Sequence, residues 1–177
     1  MDQQQENTKQ CCIAKELVAN PQGPDDSARV YLALGCANEH DQDWDGAIEN
    51  YRRALAEAPT NPFLQYFSNN NLGFSLIQKG CFDEAEKYCE AAIEINEERH
   101  NAHKNLGLVR QGQGRWLDAA LCFVSASRLN PRDPRALWHF QKLLAERPQL
   151  LRKSAELREE AGRLRNAMKS GGCAQVH

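Results

Sequence analysis

The sequence has no strong excess of charge of either sign. Its 22 lysines and arginines nearly balance 24 aspartates and glutamates, which gives a formal net charge of −2. Proteins that bind DNA, RNA or an anionic membrane surface usually carry a clustered basic excess. The composition therefore argues against nucleic acid and against a membrane surface as partners.

Long apolar runs and targeting signals are also lacking. No stretch approaches the roughly 18 consecutive apolar residues that suggest a membrane-spanning helix. The first ten residues are rich in Gln, Asp and Glu, unlike a signal peptide, and Asp2 stands where myristoylation requires glycine. The sequence thus predicts a cytoplasmic protein that does not enter a membrane.

Catalytic and cofactor motifs are missing as well. The chain contains no G-x-S-x-G, no H-E-x-x-H, no Walker loop and no glycine-rich dinucleotide fingerprint. Gly112-Gln113-Gly114 alone is interpreted as a turn at the end of a helix. We therefore expect a protein that is not an enzyme, with no catalytic residues and no cofactor.

Seven cysteines form an odd set without a C-x-x-C pair, and we interpret them as reduced. Cys89 and Cys122 fall at positions that pack between helices. The vicinal pair Cys11-Cys12 leaves open a metal or redox feature, against the alternative of a loosely packed turn. His100 and His103 could share one helix face at a zinc ion, but the sequence places no third ligand. We predict packing histidines there and no metal site.

What the sequence does contain is a recurring pattern of small and large residues at helical spacing. The Leu106-Gly107 pair recurs 34 residues earlier as Leu72-Gly73 and a further 38 residues earlier as Leu34-Gly35. The fullest copy carries Asn105-Leu106-Gly107, Gly114-Arg115-Trp116, Ala119, Phe123, Ala126 and Pro131. This pattern and its period resemble the tetratricopeptide repeat (TPR).

The resemblance implies an all-α fold, a right-handed superhelix of helix-turn-helix TPR repeats, known as an α-solenoid. Four segments are expected: a polar tail with a short helix at 1–24, the TPR array at 25–147, a capping helix at 148–169 and a disordered tail at 170–177. Within the array, the repeats span residues 28–61, 66–99 and 100–133, followed by a half repeat at 134–147.

Two features outside the regular repeats carry expectations of their own. Four extra residues, Pro62 to Gln65, should lengthen the first helix of the second repeat, with Asn61 as its cap. In the C-terminal helix, Leu150, Leu157 and Leu164 are seven residues apart. This stripe predicts a lid on the last repeat, and it leaves open a dimerisation helix that would make a homo-oligomer.

The resemblance also implies that ligand contacts come from the concave face, which is lined by the first helix of each repeat. Asn71 and Asn105 share one repeat position and are expected to stand one above the other, as in the asparagine ladder of peptide-binding TPR grooves. Phe67, Phe74 and Leu108 would supply pockets between the rungs. The predicted partner-binding residues are Arg29, Phe67, Asn70, Asn71, Phe74, Asn101, Lys104, Asn105, Leu108 and Trp138.

One specialised ligand can be tested on the residues. TPR domains that clamp the C-terminal carboxylates of heat-shock chaperones use Lys, Asn and Arg at five repeat positions. Of these positions in this chain only Asn71 matches, because the others hold Leu32, Cys36, Asn101 and Asn105. A clamp of that type is not expected.

The sequence therefore predicts a non-enzymatic adaptor or scaffold that binds a partner peptide or helix in the concave TPR groove. Two alternatives remain open: a self-assembling structural protein, and a chaperone-like TPR protein for a secretion or assembly system. A resemblance to the three-repeat chaperones of type III secretion rests only on size and repeat count.

Overall fold

The structure, a computed structural model, describes residues 23–170, with side chains from 23 to 163. The predicted N-terminal helix, Cys11-Cys12 and residues 171–177 of the predicted tail lie outside the described residues. Within the described part the chain is entirely helix and connecting turn. Its helices in chain order are α1 (Pro24–His40), α2 (Trp44–Ala56), α3 (Pro62–Gln78), α4 (Phe82–Ile95), α5 (His100–Gly112), α6 (Trp116–Leu129), α7 (Pro134–Glu146), α8 (Leu150–Lys153) and α9 (Ala155–Ser170).

Consecutive helices pair as the repeat pattern predicts. α1 packs on α2, α3 on α4 and α5 on α6, and the second helix of each pair also packs on the first helix of the next. α1 contacts α3, and α3 contacts α5, so that odd-numbered helices line one side of the stack. We call this side, with α7 continuing it, the inner face. The predicted all-α solenoid is confirmed.

One close approach recurs inside each pair of helices. Gly35 faces Tyr51, Gly73 faces Cys89 and Gly107 faces Phe123. A Cβ atom placed on Gly107 would lie 2.5 Å from the Phe123 ring, which is itself fully buried. The glycines therefore let the two helix axes approach, because any side chain at these positions would collide with the filler residue opposite. Equivalent residues meet in all three repeats.

The start of α1 is set by proline. α1 begins at Pro24, and no side chain caps it. Proline fits the first helical position because the N–H that it lacks has no partner there. The Asp25 carboxylate instead accepts hydrogen bonds from the backbone N–H groups of Thr60 (2.7 Å) and Asn61 (3.3 Å). It thereby ties the first helix to the loop before α3.

The four-residue insertion lengthens α3 as predicted. α3 runs for 17 residues from Pro62, and the Asn61 side chain accepts a hydrogen bond from the backbone N–H of Phe63 at 2.9 Å. One extra helical turn adds length without rotating the helix face out of register. The stacking of the second repeat is therefore kept.

The C-terminal segment is where the prediction of one continuous capping helix was wrong. Ser154 has extended backbone (φ −139°, ψ 128°) and separates α8 from α9. Its hydroxyl accepts a hydrogen bond from the N–H of Leu157 at 3.3 Å, which is the capping role that serine prefers. Leu150 and Leu157 are buried on either side of this break, against the last full repeat. Leu164 has no described side chain.

Candidate functional site

The two predicted asparagine rungs, Asn71 and Asn105, are joined through Asn70. Asn105 of α5 donates from Nδ2 to Oδ1 of Asn70 at 3.1 Å, and Asn70 donates to Oδ1 of Asn71 at 2.9 Å. Asn105 is only 2% exposed, and its Oδ1 is buried without a hydrogen-bond partner among the described residues. The role of Asn70 as the link between the two rungs was not predicted.

The amide chain continues into the first repeat. Asn71 donates to the Tyr51 hydroxyl at 3.5 Å and to Sγ of Cys36 at 3.7 Å, and Tyr51 donates to Oε2 of Glu39 at 2.8 Å. A run of hydrogen bonds thus crosses three repeats along the floor of the inner face. Such a hydrogen-bonded network rigidifies the packing that surrounds it.

Burial raises the pKa of Glu39, the acid at the end of this run of hydrogen bonds. The hydrogen bond from Tyr51 and the charge of Lys104 oppose the rise. Burial also raises the pKa of the Cys36 thiol, so that this cysteine is a packing group and not an activated nucleophile. Tyr51 belongs to α2, and its part in this run of hydrogen bonds was not predicted.

Lys104 occupies the middle of the inner face and is 8% exposed. Its ammonium lies 5.7 Å from the centre of the Phe74 ring. Burial, followed by the charge of Arg135, lowers the pKa of Lys104 to about 8. A lysine at this repeat position was predicted to face a partner, but its burial could not be read from the sequence.

The aromatic residues of the inner face differ in exposure. Phe67 is half-buried against Phe63, with ring centres 4.4 Å apart, and Phe74 is half-buried edge-on against Trp44 at 6.0 Å. Leu108 is half-buried in the core cluster of the third repeat. Trp138 of α7 is 55% exposed, the largest exposure among the exposed large hydrophobic side chains of the described chain.

Trp138 sits among basic side chains. Its ring meets His139 edge-to-face at 4.9 Å, and the Lys142 ammonium lies 5.1 Å from its centre. His139 in turn stacks on Phe123 at 5.2 Å, which anchors this end of the inner face to the core. Burial and the charges of Lys104, Lys142 and Arg135 lower the pKa of His139.

The remaining predicted contacts lie at the edges. Arg29 is exposed on α1 in the first repeat, whereas Lys104 lies on α5 in the third repeat. Asn101 accepts a hydrogen bond from Nη2 of Arg135 at 3.2 Å. The structure therefore brings together Phe74, Lys104 and the α7 residues, and leaves Arg29 apart.

The two predicted packing histidines make separate contacts. His100 lies 2.9 Å from Oδ2 of Asp133, and His103 lies 2.8 Å from the backbone carbonyl of Glu97. Across residues 23–163 no three His, Cys, Asp or Glu side chains converge as a metal ion would require. Cys89 and Cys122 are buried, and burial raises the pKa of Cys89 to about 12.

Asp133 joins the third repeat to α7 and gives a pH-dependent prediction. Its carboxylate caps α7 by accepting from the N–H of Arg135 at 3.0 Å, and the Arg135 guanidinium beside it holds the pKa of Asp133 well below its usual range. A lowered folded-state pKa stabilises the fold above the unfolded-state pKa of about 4, and the contribution disappears as pH falls below it. Asp133→Asn keeps the cap but removes the charge.

We expect urea unfolding at pH 7 to show wild type more stable than Asp133→Asn, with the difference shrinking steadily below about pH 4. The control is Asp45→Asn, because Asp45 is exposed and makes a surface ion pair with Lys79. A difference that does not change with pH for Asp133→Asn would contradict the assignment.

Comparison with known proteins agrees with this geometry. The family model of the tetratricopeptide repeat matches residues 28–61 and 67–99. Tetratricopeptide repeat protein 7B of Homo sapiens is 34% identical over 90 residues, which span 51% of this chain and only 10% of that protein. Photosystem I assembly protein Ycf3 of Synechococcus sp. (strain WH7803) is 29% identical over 118 residues, 59% of this chain and 68% of that protein.

A solved structure shares the architecture. The second TPR domain of human RPAP3, in complex with HSP70 peptide SGPTIEEVD, superposes with a TM-score of 0.60 at 25% identity, covering 68% of this chain and 98% of that domain. In the described part of the chain no helix is both long and apolar enough to span a membrane. With its repeating glycine contacts, its paired helices and these similarities, the described chain folds as a stack of tetratricopeptide repeats.

Proposed function

We propose that the chain is a non-enzymatic adaptor whose inner face binds an extended or helical segment of a partner protein. The observation that carries the proposal is Trp138, a large aromatic side chain of α7 that is 55% exposed. Exposed aromatics in a concave, otherwise well-packed surface are the residues that most often dominate binding energy.

The buried amide chain limits how such a segment would be held. Asn105 and Asn70 are buried and hydrogen-bonded to each other, whereas Asn71 is half-buried. A bound segment would therefore draw its affinity from side-chain pockets around Phe74, Leu108 and Trp138, with few amide rungs. This mode of binding differs from a full asparagine ladder and favours a short segment anchored by its side chains.

Selection of a random peptide library on the full chain tests this proposal. We expect peptides to be recovered, and Trp138→Ala to weaken their binding at least about tenfold in calorimetry, as for an aromatic anchor. Leu129 is the matched control, because it is 41% exposed on the outer helix α6. Equal losses for Trp138→Ala and Leu129→Ala, or no loss for Trp138→Ala, would contradict the proposal.

A role in assembling a larger complex is a second candidate, favoured by the similarity to a protein named for photosystem I assembly. The alternative of self-assembly through the C-terminal helix has less support, since Leu150 and Leu157 are used within the chain. Sedimentation of the full chain at rising concentration distinguishes the two. We also propose a cytosolic location, which suits the free buried thiols of Cys89 and Cys122.

A further inference from the structure

Lys104 is a largely buried lysine, and its ammonium has no anion bonded to it. Among residues 23–163 the ammonium makes no hydrogen bond and no ion pair, and its one described contact is the face of the Phe74 ring. A lysine is rarely buried to this extent unless it is paired, because removing its charge from water is costly. The Nζ atom is not fully enclosed, so the ammonium reaches the surface of the inner face and is accessible to a ligand.

The neighbouring acids are already occupied. The Glu39 carboxylate accepts a hydrogen bond from the Tyr51 hydroxyl, and the Asp133 carboxylate pairs with Arg135 and His100. Both attract Lys104 at longer range, but neither bonds to it. The charged and titratable groups that act on Lys104 or are acted on by it are Glu39 of α1, Cys89 of α4, Asp133 before α7, and Arg135 and His139 of α7.

α7 carries two exposed cations close to His139, whose pKa Lys104 also affects. Lys142 lies beside the Trp138 ring, whereas Arg135 already pairs with Asp133. Trp138 provides an apolar surface in the same patch. A ligand group entering here would meet positive charge beside an aromatic ring, which is complementary to a carboxylate carried next to an apolar side chain.

We propose that Lys104 binds a carboxylate of the segment held on the inner face, with Trp138 packing against the residue next to it. This inference rests on the proposed function, because it requires a bound segment. The carboxylate belongs either to an aspartate or glutamate side chain or to a free chain end. The positions used by the carboxylate clamp of chaperone-binding TPR domains hold Leu32, Cys36, Asn71, Asn101 and Asn105 in this chain, so the proposed site is a different one.

Two random peptide libraries distinguish the sources of the carboxylate. One presents free C termini, and in the other the C termini are joined to the carrier. Enrichment of Asp or Glu in the joined library supports a side-chain carboxylate, and enrichment confined to free ends supports a terminal one. If the recovered peptides need neither kind of carboxylate, this inference is overturned while the proposed function stands. If no peptide is recovered, both the inference and the proposed function are overturned.

A double-mutant cycle then assigns the contact. We expect Lys104→Met to weaken the binding of a selected acidic peptide at least about tenfold. The binding of its Glu→Gln or amidated counterpart should be unchanged. Lys79→Met is the control, because Lys79 is exposed and pairs with Asp45 away from the inner face. Lys104→Met should also fold with equal or greater stability, since it removes an unpaired buried charge. Equal losses for the acidic and neutral peptides would overturn the assignment.

The number of protons taken up on peptide binding is a second test, because a lysine with only a structural role would not change it. The pKa of Lys104 is lowered to about 8, so close to half of the lysines are neutral at pH 8. Pairing with a carboxylate raises that pKa, and binding should take up a fraction of a proton near pH 8. Calorimetry in two buffers of different ionisation enthalpy measures this uptake. Uptake that persists in Lys104→Met would overturn the proposal.

Discussion

Gly107→Ala should destabilise the fold by about 2 kcal/mol, although alanine is the better helix former. The added Cβ would lie 2.5 Å from the Phe123 ring, and Phe123 is fully buried and has no room to retreat. Either the ring leaves its rotamer or α5 moves away from α6. Urea denaturation followed by circular dichroism measures the loss.

Two other glycines provide matched controls for the same added atom. At Gly162 of α9 a Cβ meets nothing within 4 Å, and Gly162→Ala should leave stability unchanged or raise it by up to about 1 kcal/mol. At Gly73 the Cβ would lie 2.8 Å from Sγ of Cys89, which predicts a loss between the two. If Gly107→Ala and Gly162→Ala gave the same stability, the close approach of paired helices would be refuted.

Arg128→Ala should release the C-terminal helix from the repeat array. Arg128 donates from Nε and Nη2 to Oε2 of Glu160 at 3.1 and 3.0 Å, and from Nη1 to Glu156 at 2.8 Å. Glu160 is 6% exposed, so loss of the arginine leaves a buried carboxylate with only Arg163 at 3.6 Å. Removing one partner of a buried pair costs about 3 to 5 kcal/mol. We expect about 2 kcal/mol, because Arg128 itself is partly exposed.

Hydrogen exchange locates this effect. Amides in α9 should exchange faster in Arg128→Ala, while those of α1 to α4 stay protected, since stability in a repeat stack is largely a matter of neighbouring units. Arg53→Ala is the control, because the Arg53–Glu49 pair is exposed, spaced i, i+4 and remote from Glu160 in sequence. It should change stability by less than about 0.5 kcal/mol. Faster exchange throughout the chain would show that α9 supports the whole array.

The repeat frame was predictable because it depends on local spacing. Gly35, Gly73 and Gly107 recur with their filler residues at a constant offset, and that offset alone places two helices in contact. The extra turn of α3 followed from the insertion of one turn of residues behind Asn61. These features need only the period of a helix and the sizes of the side chains.

What the sequence did not reveal depends on how side chains reach across helices. Asn70 and Asn71 are neighbours in sequence, and only the packing decides that Asn105 bonds to Asn70. The leucine spacing across Ser154 suggested one helix, but the serine cap interrupts it while both leucines stay buried. The burial of Lys104 depends on α3, α5 and α7 together, and no local pattern records it.

Binding of a partner segment to the inner face can be mapped residue by residue. Two-dimensional NMR of the isotope-labelled full chain, titrated with a selected peptide, gives this map. We expect shift changes on α3, α5 and α7, including the Trp138 indole and the amides near Phe74 and Lys104. Changes confined to the outer helices α2, α4 and α6 would contradict it.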